Sequence, residues 1–103
     1  MDKDYKVKIK NQAKADLNNI YMYYFNQSSS VDVAETVVGR LYEVIFGLSF
    51  MPYTRPILLE FNDPKYRKTV CYEYVIVFEM NESTKTVTVT RVFHGKSNYQ
   101  KYL

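Results

Sequence analysis

The sequence has little of several residue types, and each shortage excludes a class of structure. A single cysteine, Cys71, rules out a disulfide within the chain, and one cysteine with one histidine is too few for a usual structural zinc site. No run approaches the roughly eighteen apolar residues of a membrane-spanning helix, and the N-terminus lacks the apolar segment of a secretory signal. We therefore expect a cytoplasmic protein, not embedded in a membrane, that uses no metal or other cofactor.

Tryptophan is absent, whereas tyrosine and phenylalanine are abundant, with 11 Tyr and 6 Phe among 103 residues. A chain of this length supports one domain with one core, so we predict a single domain over residues 1–103. The aromatic content predicts that much of this core is aromatic, with phenol groups reaching its rim.

Acidic residues are too few in the last part of the chain to balance the basic ones. Residues 1–60 hold seven Lys/Arg and seven Asp/Glu, whereas residues 61–103 hold seven and four. The net charge of +3 therefore arises in the C-terminal part. A localised basic surface suggests an acidic or polyanionic partner. An ordinary basic surface in contact with solvent explains the excess of Lys/Arg nearly as well.

The first half of the chain predicts a strand and two helices. Residues Tyr5 to Lys10 alternate apolar side chains with lysines, as a half-buried strand does, and the lysine side suits an edge or a solvated surface. Apolar residues at helical spacing then predict one helix capped by Asn11 and a second capped by Ser29 or Ser30 and ended by Pro52. The two helices should form an antiparallel hairpin.

The second half predicts strands. The runs Ile57 to Phe61, Tyr66 to Met80 and Thr86 to Phe93 are rich in β-branched and aromatic residues, and the polar segment 81–85 has the length of a hairpin loop. The fold class is therefore α+β: an N-terminal strand, a two-helix hairpin, then a mainly antiparallel sheet of three or four strands.

The only histidine, His94, stands where the last strand gives way to a tail containing Lys96 and Tyr99. An imidazole titrates near pH 6.5 and could act as general acid or base, while a tyrosine could donate a proton or stack on a base. Alternation along the strand puts His94 and Arg91 on opposite faces. A capping or packing role is the alternative for both His94 and Tyr99.

Basic residues near the second strand run could hold a phosphate. Arg67 opens that run, and its planar guanidinium can grip phosphate oxygens in two places, whereas lysines supply point charges. For each cation taken singly, a solvated surface charge is the alternative. The predicted catalytic residues are Arg67, His94, Lys96 and Tyr99, and the predicted phosphate-binding or RNA-binding residues are Lys65, Lys68 and Arg91.

Four segments carry a resemblance to a known family. They are residues 13–23 in the first helix, 48–52 after the second, Tyr66 to Lys68, and Arg91 to Gly95. In this order and spacing they resemble the toxins of the RelE/ParE superfamily of bacterial type II toxin–antitoxin systems. The resemblance implies a compact α+β toxin that a cognate antitoxin neutralises.

The resemblance implies two classes of function on one fold. RelE-like members cleave messenger RNA on the ribosome without metal, through attack of a ribose 2′-hydroxyl on its own phosphate; ParE-like members inhibit DNA gyrase. We expect the endonuclease first, with the gyrase inhibitor or an inactive antitoxin-binding homologue as alternatives. If the chain is a nuclease, the resemblance implies that Arg67 matches the strand-opening arginine and that Lys96 falls near the family's tail arginine. His94 or Tyr99 would then fill the acid and base roles. Glu60 is a weaker base candidate.

Overall fold

A computed structural model of the chain describes residues 4–58 and 63–95. Within these ranges the expected α+β fold is confirmed, and neither of the two helices is long and apolar enough to cross a membrane. The elements are β1 (Lys6–Ile9), α1 (Asn11–Ser28), α2 (Val31–Gly47), a short 3-10 helix (Pro52–Thr54), β2 (Tyr66–Cys71), β3 (Tyr74–Asn81) and β4 (Thr86–His94).

The four strands form one sheet in the order β1-β4-β3-β2. The last three strands of the sequence pair as antiparallel neighbours, whereas β1 runs parallel to β4, with Lys6 opposite Thr86. A parallel pair needs a long crossover between its strands, and here the helical hairpin and two further strands supply it. The sheet is thus mainly antiparallel, as predicted, with its first and last strands side by side.

The two helices form where the apolar spacing predicts them, with small differences at their ends. The helix α1 begins at Asn11, so that Lys10 occupies the cap position without a side-chain bond. Ser30 caps α2 as predicted, because its side-chain oxygen accepts a hydrogen bond of 3.3 Å from a backbone N–H in the first turn. That helix ends at Gly47, and Pro52 opens the 3-10 helix instead of ending α2.

The helices cover one face of the sheet and build a core that is mainly aliphatic. Leu17 of α1 and Leu41 of α2 are fully buried against the sheet, where Phe78 is the largest fully buried side chain. Burial of each such side chain contributes about 1.5 to 3 kcal/mol to stability. The expected aromatic core is wrong, since the buried aromatic residues among those described are Tyr5, Tyr74, Phe78 and Phe93.

The opposite face of the sheet carries a smaller cluster, in which Leu58 packs with Val77 and Phe93. Leu58 belongs to the connection between the 3-10 helix and β2, and its N–H donates to the carbonyl of Tyr66 at 2.8 Å. A strand was predicted at Ile57 to Phe61. In the described part of that run only Ile57 bridges to a strand, and residues 59–62 lie outside the described ranges.

The predicted run from Tyr66 to Met80 is two strands rather than one. Tyr72 and Glu73 form a two-residue turn between β2 and β3, and Tyr72 adopts a left-handed φ of 56°. Hairpin turns of this length are usually recognised in a sequence by glycine or asparagine, because those residues tolerate positive φ. The turn therefore carries no sequence signal, but it decides which side chain stands beside His94.

A bulge in β4 changes which side chains face the helices. The pairing with β3 places Val89 opposite Phe78 and Arg91 opposite Val77, so Thr90 has no partner and the alternation shifts by one residue. Strict alternation along the strand would put Val87, Val89 and Arg91 on one face, and the bulge moves Arg91 to the other. The β4 side chains on the helix side are Val87, Val89, Val92 and His94.

Candidate functional site

His94 lies at the end of β4 beside a carboxylate. Its Nε2 is 3.0 Å from Oε2 of Glu73, and its ring meets that of Tyr74 edge to face with centroids 5.6 Å apart. The pairing of Tyr74 with His94 across β3 and β4 puts the preceding turn residue, Glu73, next to the imidazole. A carboxylate at this distance orients the ring and selects the nitrogen that carries the proton.

A pocket of about 320 Å³ opens at this histidine. Two tyrosines of α1 form its other wall: the rings of Tyr23 and Tyr24 meet at 90° with centroids 5.1 Å apart, and the hydroxyl of Tyr24 is 3.5 Å from that of Tyr74. The described walls therefore offer phenols, an imidazole and a carboxylate. The lining residues are Tyr23, Tyr24, Glu73, Tyr74 and His94.

Tyr74 makes the stability of the fold sensitive to alkaline pH. Burial, followed by the hydrogen bond with Tyr24, raises the pKa of the Tyr74 phenol above its ordinary value of 10.0. The unfolded chain then ionises first, so we expect stability to fall as pH rises past about 10. Urea unfolding at about pH 8 and about pH 11 should show a smaller decline in Tyr74→Phe than in the parent. Tyr72→Phe, at an exposed position, should decline like the parent, and an equal decline in both variants would contradict this assignment.

Arg91 is engaged by a helix. Its Nε and Nη2 donate to the two carboxylate oxygens of Asp16 at 2.8 and 3.0 Å, and its guanidinium lies 4.7 Å from the ring centre of Phe93. Asp16 also accepts the backbone N–H of Val92 at 2.8 Å. Because β1 ends at Ile9, α1 runs beside the last part of β4, and Asp16 takes the hydrogen-bonding place of a neighbouring strand.

Arg67 anchors the 3-10 helix to β2. Its Nη1 donates to the backbone carbonyls of Tyr53 at 3.0 Å and Arg55 at 2.7 Å, while its buried Nε has no hydrogen-bond partner. A buried donor without a partner is uncommon and marks a place where an anion or water would be stabilised. Arg67 borders a groove of about 300 Å³, and the lining residues are Tyr53, Asp63, Pro64, Lys65, Arg67, Met80 and Glu82.

The two lysines predicted to bind phosphate lie in and next to β2. Lys65 sits at the groove, 3.7 Å from a carboxylate oxygen of Glu79 and 5.1 Å from the ring centre of Tyr66. Lys68 is half-buried, and its backbone N–H donates to the carbonyl of Pro56 at 3.1 Å. Of the two, Lys65 is the one positioned to add charge beside Arg67.

The structure does not bring Arg67 to His94. Arg67 stands opposite Phe78, whereas His94 stands opposite Tyr74, at the other end of β3 and two strands away. With about 3.3 Å per residue along a strand and about 4.8 Å between strands, their backbones are roughly 16 Å apart. The expected convergence of these two residues on one site is therefore wrong for the described geometry.

The other predicted groups cannot be placed beside them. Lys96, Tyr99 and Glu60 lie outside the described residues, so their roles stay predictions. Within residues 4–58 and 63–95, no three His, Cys, Asp or Glu side chains come together as metal ligands. Sequence reasoning missed Glu73 and Asp16, the carboxylates that hold His94 and Arg91, because neither pairing leaves a local pattern.

Comparison with known proteins places this chain in a family. The family described as the ParE toxin of the type II toxin–antitoxin system parDE matches residues 7–99. No curated protein matches the sequence significantly. The family match therefore covers nearly the whole chain, including both helices and every described strand apart from Lys6 at the start of β1.

Solved structures share the fold at low identity. The chromosomal ParDE system of P. aeruginosa aligns with a TM-score of 0.71 and 18% identity, covering 87% of this chain and 95% of that one. The RelBE2 complex of Mycobacterium tuberculosis aligns with a TM-score of 0.63 and 18% identity, covering 88% of this chain and 98% of that one. A double mutant of the E. coli toxin RelE in the free state aligns with a TM-score of 0.66 and 13% identity, covering 96% of this chain and 92% of that one. The chain therefore belongs to the ParE toxin family of type II toxin–antitoxin systems, within the RelE/ParE superfamily.

Proposed function

We propose that this toxin acts by binding a protein target, DNA gyrase, and that a cognate antitoxin neutralises it. One observation carries the proposal: three of the described groups that a nuclease would use are already engaged within the chain. Arg67 holds two backbone carbonyls and Arg91 holds Asp16, while His94 has a carboxylate as its neighbour. Stabilising a transferring phosphoryl group requires cations aimed at the phosphate oxygens, and these cations point elsewhere.

An exposed apolar surface, which we call the apolar ridge, supports a protein-binding role. It begins near the end of α2 with Phe46, continues through Phe50, Met51 and Tyr53, and reaches Ile57; Phe46 and Phe50 are 54% and 68% exposed. Aromatic and methionine side chains are enriched at the centres of protein interfaces. A gyrase inhibitor needs such a surface, whereas an endonuclease needs a cationic one.

Ribosome-dependent cleavage of messenger RNA is the second candidate, and one observation favours it. Arg67, whose buried Nε lacks a hydrogen-bond partner, lines a groove together with Lys65, so a phosphate in this groove would lie beside two cations. Cleavage would proceed by attack of a ribose 2′-hydroxyl on its own phosphate, giving a 2′,3′-cyclic phosphate and a free 5′-hydroxyl. His94 stands too far from this groove to transfer the proton, so that step would need another residue.

A paired assay on one preparation separates the two functions. We expect the purified toxin to arrest supercoiling by gyrase and to leave messenger RNA intact in a translation extract whose RNA ends are mapped. Codon-phased cuts that disappear in Arg67→Ala would overturn the gyrase proposal in favour of the nuclease. Activity in neither assay, with binding to the antitoxin preserved, would favour an inactive antitoxin-binding homologue.

The apolar ridge supplies a matched pair of variants for the gyrase assay. Phe50→Ser should weaken inhibition at least about 10-fold, because truncating an aromatic hot spot at the centre of an interface typically costs about 2 kcal/mol or more. Tyr72→Ser removes a similarly exposed aromatic ring from the far hairpin of the sheet and should leave inhibition unchanged. Equal inhibition by both variants would exclude the apolar ridge as the gyrase-binding surface.

A further inference from the structure

Three lysines stand in a row along the first strand and the extended residue that follows it, and we call this row the lysine face: Lys6, Lys8 and Lys10. All three are exposed, whereas the intervening Val7 and Ile9 pack against the core under the helices. Since side chains alternate along a strand, the lysines project from the face of the sheet that the helices do not cover. The helical hairpin therefore leaves this row accessible.

The lysine face has no ion-pair partner among the described residues. Two other lysines do, since Lys65 pairs with Glu79 and Lys85 with Glu82. From residue 5 to residue 15 the chain contains four lysines and no acidic residue, and Asp4 is the described carboxylate nearest in sequence. Residues 1–60 contain equal numbers of basic and acidic residues, so the charge count alone does not reveal this local excess of lysine. Most of the acidic residues in that range lie on the helices.

The spacing of the row suits a linear array of anions. Alternate residues of a strand are about 6.7 Å apart, so the three ammonium groups start from backbone positions that span about 13 Å. The neighbouring strand adds threonine hydroxyls on the same face: Thr88 lies opposite Lys8, and Thr86, whose hydroxyl donates to the carbonyl of Thr84, lies opposite Lys6. Lysine and threonine side chains are typical donors to the phosphate oxygens of nucleic acids.

The composition of the lysine face distinguishes between polyanions. Protein interfaces are depleted in lysine and depend on buried aromatic anchors, which the row and its facing threonines lack. Single-stranded nucleic acids are held largely by stacking of bases on aromatic rings, and the row offers none. Contact with the backbone of a duplex needs only cations and hydrogen-bond donors.

We propose that the lysine face binds the phosphate backbone of double-stranded DNA without reading its sequence. This goes beyond gyrase inhibition and does not depend on it. Edge strands also carry lysines to prevent strand pairing with other molecules, and that explanation predicts no affinity for DNA. The two explanations therefore differ in a measurable quantity, the salt dependence of DNA binding.

The test is binding of the full-length toxin to a fluorescently labelled duplex of mixed sequence, measured by anisotropy at several salt concentrations. We expect the triple variant Lys6→Gln, Lys8→Gln, Lys10→Gln to lose at least about 10-fold in affinity. The slope of log K against log salt should fall by about 2 to 3, since each phosphate contact contributes about 0.9. The corresponding triple arginine variant keeps the charges and should keep the slope.

Lys14→Gln is the matched control, because this exposed lysine of α1 borders the groove between the helices instead of the sheet. It should bind DNA like the parent. The proposal is overturned by an unchanged slope in the glutamine triple variant, by an equal loss in Lys14→Gln, or by tighter binding to a single strand of the same sequence. Far-UV circular dichroism checks that each variant is folded, and failure of the gyrase assay alone would leave the DNA-binding result standing.

Discussion

Replacing Asp16 by alanine is expected to lower the free energy of unfolding by about 3 to 5 kcal/mol. Its carboxylate accepts two hydrogen bonds from Arg91 and one from the backbone of Val92, and the Asp16 and Arg91 side chains are only 13% and 19% exposed. Removing the acid takes two hydrogen bonds and a neighbouring negative charge from a largely buried guanidinium, and it takes the acceptor from the backbone N–H of Val92. Urea unfolding followed by circular dichroism measures the loss.

Two further variants separate the ion pair from other effects of this change. Glu35→Ala removes an exposed carboxylate from the other helix and should change stability by less than about 0.5 kcal/mol. The double variant Asp16→Leu, Arg91→Met replaces both charges by apolar groups and should recover part of the loss, because it removes both buried charges while the N–H of Val92 still lacks its acceptor. A loss below about 1 kcal/mol in Asp16→Ala would mean that water solvates Arg91 freely.

Phe78→Ala is expected to cost about 3 to 5 kcal/mol, a loss typical of truncating a large buried side chain. Phe78 is fully buried in the third strand, between Arg67 on one neighbouring strand and Val89 on the other, and belongs to the core beneath the helices. Alanine would leave a cavity that the surrounding strands can close only in part. The loss should appear as a lower urea midpoint with an unchanged m-value.

Phe50→Ala provides the matched control, because it removes the same ring from a position that is 68% exposed. Stability should change by less than about 0.5 kcal/mol, even if partner binding is weakened. Similar losses in both variants would show that Phe50 is buried in solution and that the apolar ridge is not available to a partner. The pair thus tests the core and the exposed surface together.

The fold was predictable to the extent that local patterns specify it. Apolar residues at helical spacing and the cap at Ser30 predicted the helical hairpin, and alternation predicted the first strand. The turn at Tyr72 and the bulge at Thr90 were not predictable, because neither position carries glycine, proline or asparagine. Pairing with neighbouring strands imposes both, and that pairing depends on residues distant in sequence.

At the candidate site, the sequence was likewise enough to identify individual residues but not the partners that they contact. The sequence identified His94 and Arg91 as residues capable of chemistry, and the structure places both in polar surroundings. It could not identify Glu73 or Asp16 as their partners, because the first pairing depends on an unmarked turn and the second joins opposite ends of the chain. The positions of these carboxylates make the protein-binding proposal stronger than the nuclease one.

The parallel pairing of β1 with β4 has a consequence for synthesis of the toxin. Residues Lys6–Ile9 leave the ribosome before every other described strand and helix, but their hydrogen-bonding partners in Thr86–His94 are made after all of these. The helical hairpin can assemble from local contacts, whereas the sheet cannot gain its first strand until translation of β4 is finished. During that delay the growing chain exposes an unpaired strand, with its apolar side uncovered, to chaperones, proteases and any antitoxin already present.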